Sequence, residues 1–266
     1  MSRVARSILI TGASSGIGAS LAREYAAPGM HLALTGRNRE RLEQIAGECR
    51  AKGAEVVTEA VDVRDRERLA QWIFAVDDAQ PIDLAIANAG VTGGIGMGRR
   101  REHPDIARNI LATNLVGTIN TLDPVVERMC MRGRGRIAVM GSIGALRGLP
   151  YCPAYCASKA GVHAYAESLR AALAREGIGV TIVAPGFVET PLNDGIVCPK
   201  PMAVSDIRAA RIIRRGLERG RALIAFPRLA YYGLLLTRLL PRRLADAFFA
   251  RVHVDIPEKF DSTADQ

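Results

Sequence analysis

The residues in this chain best suited to chemistry are a tyrosine and a lysine in the run Tyr155-Cys156-Ala157-Ser158-Lys159, with Ser142 upstream at the end of an apolar stretch. Four residues make about one helical turn, so a helix here brings the phenol and the ammonium out on one face. A phenol beside an ammonium can pass a proton to a substrate oxygen or take one from it. The same spacing also describes an ordinary exposed turn of an amphipathic helix. The two are separated by what the rest of the chain builds around the pair.

Residues 7–11 read as a short buried strand, followed at once by Thr11-Gly12-Ala13-Ser14-Ser15-Gly16-Ile17-Gly18 and a helical pattern over 19–27. A glycine-rich turn between strand and helix lets the backbone approach a pyrophosphate, and the helix N-terminus offers unpaired N–H groups and a partial positive charge. A second strand, 30–35, ends at Gly36-Arg37-Asn38-Arg39 without an acid. An acidic residue there would suit the free 2′-hydroxyl of NAD, whereas an arginine can fork onto the 2′-phosphate of NADP. Arg37, with Arg39 and Arg41 behind it, therefore predicts NADP(H) over NAD(H). The plainer alternative is a set of arginines that solvates a helix start.

The alternation continues with a helix over 39–52, a strand over 55–61 closing at Asp62-Val63, and a helix over 65–76 that carries Trp72 into the core. A strand over 82–87 closes at Asn88-Ala89-Gly90, and 91–103 is a glycine-rich loop with the run Arg99-Arg100-Arg101. Residues 104–132 read as one long helix holding Asn114 near its middle and bending at Pro124. A strand over 136–140 leads to Ser142, the Tyr155 helix runs to about 176, and a strand over 179–184 ends in Pro185-Gly186-Phe187-Val188-Glu189-Thr190. After a polar-to-helical excursion over 191–219, residues 221–226 make a seventh strand. This alternation predicts an α/β fold: one domain with a seven-stranded parallel sheet, doubly wound, with helices on both faces. Ligands of such sheets bind outside the carboxyl ends of the strands, where these polar and glycine turns fall.

At 266 residues and 48% hydrophobic, the chain can bury one large core. Its formal charge of +9 is almost wholly arginine, since lysine occurs only at Lys52, Lys159, Lys200 and Lys259. The arginines are scattered, with no concentrated basic stripe and no interleaved aromatics, which argues against a nucleic-acid partner. Cysteines at 49, 130, 152, 156 and 198 form no CxxC pair and have no histidine cluster, so the reading is reduced thiols in a cytoplasmic protein, with no metal site. The first residues run straight into the strand at 7, leaving no room for a signal peptide. Residues 228–252 are rich in leucine and aromatics, but Arg238 and Pro241 cut the run short of the roughly 20 apolar residues a bilayer span needs. Three readings stay open for it: a lid over the site, a subunit contact, or a peripheral membrane contact. Residues 255–266 read as a loose polar tail.

Thr11 to Gly18, Asn88-Ala89-Gly90, Asn114, Ser142, Tyr155 with Lys159, and Pro185-Gly186 with Thr190 occur in one order and spacing. Together they resemble the short-chain dehydrogenase/reductase family over residues 5–226. The resemblance implies a Rossmann-type fold, with 1–226 as the catalytic domain and 227–266 as its helical extension, and a homodimer or homotetramer. It implies an oxidoreductase that moves a hydride between NADP(H) and a carbonyl or secondary alcohol. On it, Tyr155 is the general acid or base, and Lys159 lowers the phenol's pKa and bonds the nicotinamide ribose. Ser142 holds the substrate oxygen, and Asn114 distorts its helix to hold a relay water. Gly12, Ser14, Ser15, Gly16, Ile17 and Gly18 would line the phosphates, Asp62 and Val63 the adenine, and Asn88, Ala89 and Gly90 the ribose. Pro185, Gly186, Val188 and Thr190 would flank the nicotinamide. Residues 91–103, 144–153 and 192–213, with Leu146, Leu149, Tyr151 and Met202 among them and Phe187 nearby, would shape a partly apolar substrate pocket. The alternative on the same fold is a catalytically quiet NADP-binding sensor, which the presence of all four catalytic groups disfavours.

Overall fold

Five consecutive buried residues, Ser7–Thr11, form β1. The structure, a computed structural model, describes residues 5–96, 98–194, 196, 197, 200, 202–250 and 256. From β1 the chain alternates through α1 (Gly16–Tyr25), β2 (His31–Gly36), α2 (Arg39–Ala51), β3 (Glu55–Ala60), α3 (Arg66–Ala79) and β4 (Leu84–Ala87). It continues with α4 (Pro104–Leu111), α5 (Gly117–Arg132), β5 (Gly135–Met140), α6 (Pro153–Leu173) and β6 (Ile178–Pro185). The remainder holds the short strands β7 (Val188–Glu189) and β8 (Val204–Ser205), α7 (Asp206–Glu218), β9 (Leu223–Phe226), α8 (Arg228–Leu236) and α9 (Arg242–Ala250).

Seven strands make one parallel sheet in the order β3-β2-β1-β4-β5-β6-β9. Side chains alternate across it. Ile8 and Ile10 enter a core built with Leu21 of α1, Leu42 of α2 and Ile213 of α7. Leu9 points the other way, into a core with Ile73 of α3, Leu122 of α5 and Val162 of α6. Helices thus cover both faces, as the alternation predicts, and Trp72 packs against the second core. The strand order reverses between β1 and β4, so the ends of these two strands flank a crevice, the usual ligand position in such sheets.

Two differences from the sequence reading matter for the site. The stretch 104–132 is not one α-helix bent at Pro124. A π-helical turn, Ala112–Val116, separates α4 from α5, while Pro124 lies inside α5. Within 191–219, β8 pairs with β7 before α7 begins, forming a small ribbon beside the main sheet. Of the tail read as loose, only Ile256 is among the described residues, and it is buried against Cys152 and Cys156.

Candidate active site

The glycine turn is a backbone requirement first. Gly12 and Gly16 have φ of 67° and 53°, in the left-handed region that favours glycine. A Cβ on Gly18 would stand 2.2 Å from the Gly12 carbonyl oxygen, so α1 can meet the end of β1 this closely only without a side chain. Ser15 caps α1 without a side-chain hydrogen bond and the first turn holds no acid, leaving its N–H groups available to an anion. A dinucleotide's phosphates fit that cradle. Beside it, the Ser14 hydroxyl lies 2.9 Å from where a Cβ on Gly36 would be, next to the exposed Arg37. Thr190 closes the other side, its methyl 3.2 Å from a Cβ position on Gly16.

The crevice between β1 and β4 is stitched by Thr11 and Asn88. The Thr11 hydroxyl accepts from the Asn88 and Ala89 N–H groups at 3.1 and 3.2 Å, and the Asn88 amide donates back to Thr11 and Gly12 carbonyls at 3.0 and 3.2 Å. At the end of β3, burial pushes the Asp62 carboxyl up, but the Arg64 hydrogen bonds, the closest at 2.6 Å, outweigh it and hold the group below its ordinary range. Val63 is buried under Gly117, and its carbonyl receives the Asn120 amide at 2.9 Å.

On the other side, α6 starts with Pro153 at its first turn, and the Glu102 carboxylate accepts from the Ala154 N–H at 2.9 Å. An acid at a helix N-terminus is favourably placed against the helix dipole. This fixes the turn that carries Tyr155. The phenol ring and the Ser142 hydroxyl both lie against Gly144, where a Cβ would stand 3.6 and 3.4 Å from them, and the Ser142 oxygen accepts from the Gly144 N–H at 3.0 Å. Burial pushes the Tyr155 phenol up to about 12, opposed by the Ser142 hydroxyl. Lys159 is buried, donates to the Met140 carbonyl at 2.8 Å, and sits 5.9 Å from the centre of the Tyr155 ring. Burial alone lowers its ammonium to about 8.

Asn114 sits at the centre of the π turn and is fully buried. Its amide pairs both ends of the Val91 peptide, accepting at 2.8 Å and donating at 3.0 Å, and also donates to Ser158 at 3.1 Å. Ser158 in turn donates to the Tyr155 carbonyl at 2.7 Å. The extra residue in the turn aims this side chain at the loop after β4 and at α6 together. Gly90 completes the pocket floor: a Cβ there would lie 3.2 Å from the Asn114 oxygen and 3.7 Å from the Lys159 ammonium.

Pro185 and Gly186 border the same space. The Ser142 hydroxyl reaches the Pro185 carbonyl at 3.5 Å, and the Gly186 N–H donates to the Phe226 carbonyl at 2.7 Å. Leu149, Tyr151 and Phe187 pack with Tyr155 around the buried Cys152 and Cys156, and Leu146 is buried, whereas Met202 is largely exposed. The sequence reading missed His163. Its Nε2 accepts from the Ser142 N–H at 3.4 Å, and a Cβ on Gly141 would stand 2.2 Å from that nitrogen. Burial and the Lys159 charge lower this imidazole to about 4. One turn beyond Lys159, it continues the Tyr155 face, which is the signal that could have found it.

The predicted site residues thus gather at the carboxyl edge of the sheet, around the β1–β4 crevice. A family model described as short chain dehydrogenase matches residues 6–198. An uncharacterized oxidoreductase of Myxococcus xanthus (strain DK1622) is 35% identical over 248 residues, 93% of this chain and 97% of that one. Among solved structures, an NAD+-bound xylitol dehydrogenase is 31% identical with a TM-score of 0.65, covering 69% of this chain and 70% of that one. An alcohol dehydrogenase from the archaeon Thermococcus sibiricus, complexed with 5-hydroxy-NADP, is 26% identical with a TM-score of 0.73, covering 83% and 95%. The family match spans most of the length and the relative covers nearly all of it, so the chain belongs to the short-chain dehydrogenase family and is an oxidoreductase of that kind.

Proposed function

We propose that the protein reduces a carbonyl compound, or oxidises the matching secondary alcohol, with Tyr155 as the proton donor or acceptor and NADP(H) as the preferred cofactor. The observation that carries this reading is the gathering of Ser142, Tyr155 and buried Lys159, with Ser142 and Tyr155 both against Gly144 and Lys159 5.9 Å from the Tyr155 ring centre, beside a glycine cradle at the same sheet edge. A bound nicotinamide dinucleotide supplies or receives the hydride. The protein's own residues manage the proton and the oxygen. In reduction, the phenol gives its proton to the substrate oxygen while the Ser142 hydroxyl orients that oxygen and stabilises its developing charge. A phenol pushed up to about 12 stays protonated at neutral pH, which suits the donor role. In oxidation the phenolate must form; the nearby Ser142 hydroxyl lowers its cost, and a charged Lys159 one turn away would lower it further.

For the cofactor, the turn from Gly12 to Gly18 would hold the phosphates, Arg37 with Ser14 the 2′-phosphate, and Asp62 with Val63 the adenine. Asn88, Ala89 and Gly90 would meet the ribose with Tyr155 and Lys159, and Pro185, Gly186, Val188 and Thr190 the nicotinamide. Asn114 holds the Val91 loop and α6 in register, which makes it a positioning residue. The solved relatives carry NAD+ in one case and an NADP derivative in the other, so the NADP preference rests on Arg37. The apolar set Leu149, Tyr151 and Phe187 favours a partly apolar substrate. A panel of ketones and secondary alcohols followed by NADPH absorbance tests this reading. Turnover of a member supports it, and tight NADPH binding with no turnover across the panel would favour the sensor instead.

A further inference from the structure

The C-terminal helices α8 and α9 leave a series of apolar and basic side chains uncovered. In α8, Leu229, Tyr232 and Leu236 recur at helical spacing and are 74%, 52% and 62% exposed. The turn after α8 and the start of α9 add Leu239, Leu240 and Leu244, at 81%, 44% and 61%. Single exposed leucines are ordinary, but six large apolar side chains exposed within residues 229–244 mark an interaction surface.

The segment 237–249 is already committed on one side. Arg147 donates to the Thr237 carbonyl at 3.1 Å, pairs with Asp246 at 3.5 Å, and lies 5.7 Å from the centre of the Phe249 ring. The Tyr151 hydroxyl donates to the Phe249 carbonyl at 3.1 Å, and Ala245 is fully buried. The segment 237–249 is therefore tied to the loop that follows Ser142, and the exposed leucines lie outside these contacts.

Charge selects the occupant. Arg228, Arg238, Arg242 and Arg243 are all exposed, and none forms an ion pair among the described residues. Asp246, the only acid between 228 and 250, is engaged by Arg147. Two copies meeting through this same face by two-fold symmetry would set like charges against each other. An anionic surface would complement them, and leucine and tyrosine beside arginine is the composition of helices that lie at a headgroup boundary.

We propose that the α8–α9 face docks peripherally on an anionic lipid bilayer, its leucines entering the headgroup boundary and its arginines meeting the lipid head groups. No helix among the described residues is long and apolar enough to cross a membrane, so the contact is of the kind that lies on the surface. The proposal is independent of the hydride reading.

Flotation of the full chain with vesicles of phosphatidylcholine plus phosphatidylglycerol, against phosphatidylcholine alone, is the test. Binding to the anionic vesicles should weaken with added salt and fall roughly 30-fold in Arg238→Ala/Arg242→Ala, at about fivefold per arginine. Leu239→Ser/Leu244→Ser should also lose binding while keeping the wild-type thermal midpoint, since both side chains are exposed. Protein that stays out of the vesicle fraction under all conditions overturns the proposal. So does binding that both variants retain. Leucine variants that alter only the sedimentation coefficient would assign the face to a second copy instead.

Discussion

Lys159→Met separates the cost of the site from its use. The ammonium is buried and lowered to about 8 from an ordinary 10.5. At about 1.4 kcal/mol per tenfold change, this corresponds to ~3 kcal/mol spent on keeping the charge in the folded protein at pH 7. Methionine has similar length and no charge, so that penalty disappears. The Met140 carbonyl loses its donor at 2.8 Å, which costs about 1–3 kcal/mol. The variant is therefore expected to match the wild type or exceed it by up to ~2 kcal/mol at pH 7, while turnover falls at least ~100-fold. The pH dependence is the sharper readout. Between about 8 and 10.5 the unfolded wild type holds a proton on Lys159 that the folded one has released, so wild-type stability rises with pH in this window. The variant lacks this rise. Urea unfolding of the cofactor-free proteins at pH 7 and pH 10 should show the variant's relative advantage shrinking by ~2–3 kcal/mol. A difference that stays constant with pH, or grows in the variant's favour, would refute the burial argument.

Three further outcomes follow from the same geometry. Arg37→Asp should raise the Kd for NADPH by about 10–100-fold and change that for NADH by less than about threefold, read by cofactor fluorescence; equal losses would remove the 2′-phosphate assignment. His163 is neutral in the fold down to about pH 4, whereas the unfolded imidazole takes up its proton near 6.5, so stability should drop as pH falls through that window. His163→Gln keeps an acceptor for the Ser142 N–H and should lose roughly 2 kcal/mol of that acid sensitivity, after discounting for partial exposure; an unchanged urea midpoint profile would contradict the account.

The strands of the parallel sheet and the glycine cradle were legible because each rests on local pattern, whereas the order in which the strands pair depends on contacts far apart in the chain. Ile8, Leu9 and Ile10 announce a strand buried on both faces, and Gly12, Gly16 and Gly18 announce a backbone that must come close to something. The Tyr155–Lys159 face was legible from helical spacing, and His163 lies on its continuation. The π turn was not, because residues 104–132 keep a continuous helical composition. What accompanies the extra residue is the pairing of Asn114 with Val91, a contact across the fold. The short β7–β8 ribbon depends on two residues per strand, too few to leave a period. The lowered pKa of Lys159 was likewise hidden: burial depends on what Gly90, Met140 and Asn114 leave around it, and no spacing along the chain reports that.

The most direct test of the central claim is Tyr155→Phe, assayed with a substrate that the wild type reduces. The substitution removes one hydroxyl and leaves the ring in its apolar setting of Leu149, Tyr151 and Phe187. NADPH affinity should stay within about threefold of wild type while kcat falls by about 100- to 10,000-fold, the range for loss of a positioned acid. A phenylalanine variant that keeps most of the wild-type rate would show that the proton comes from elsewhere.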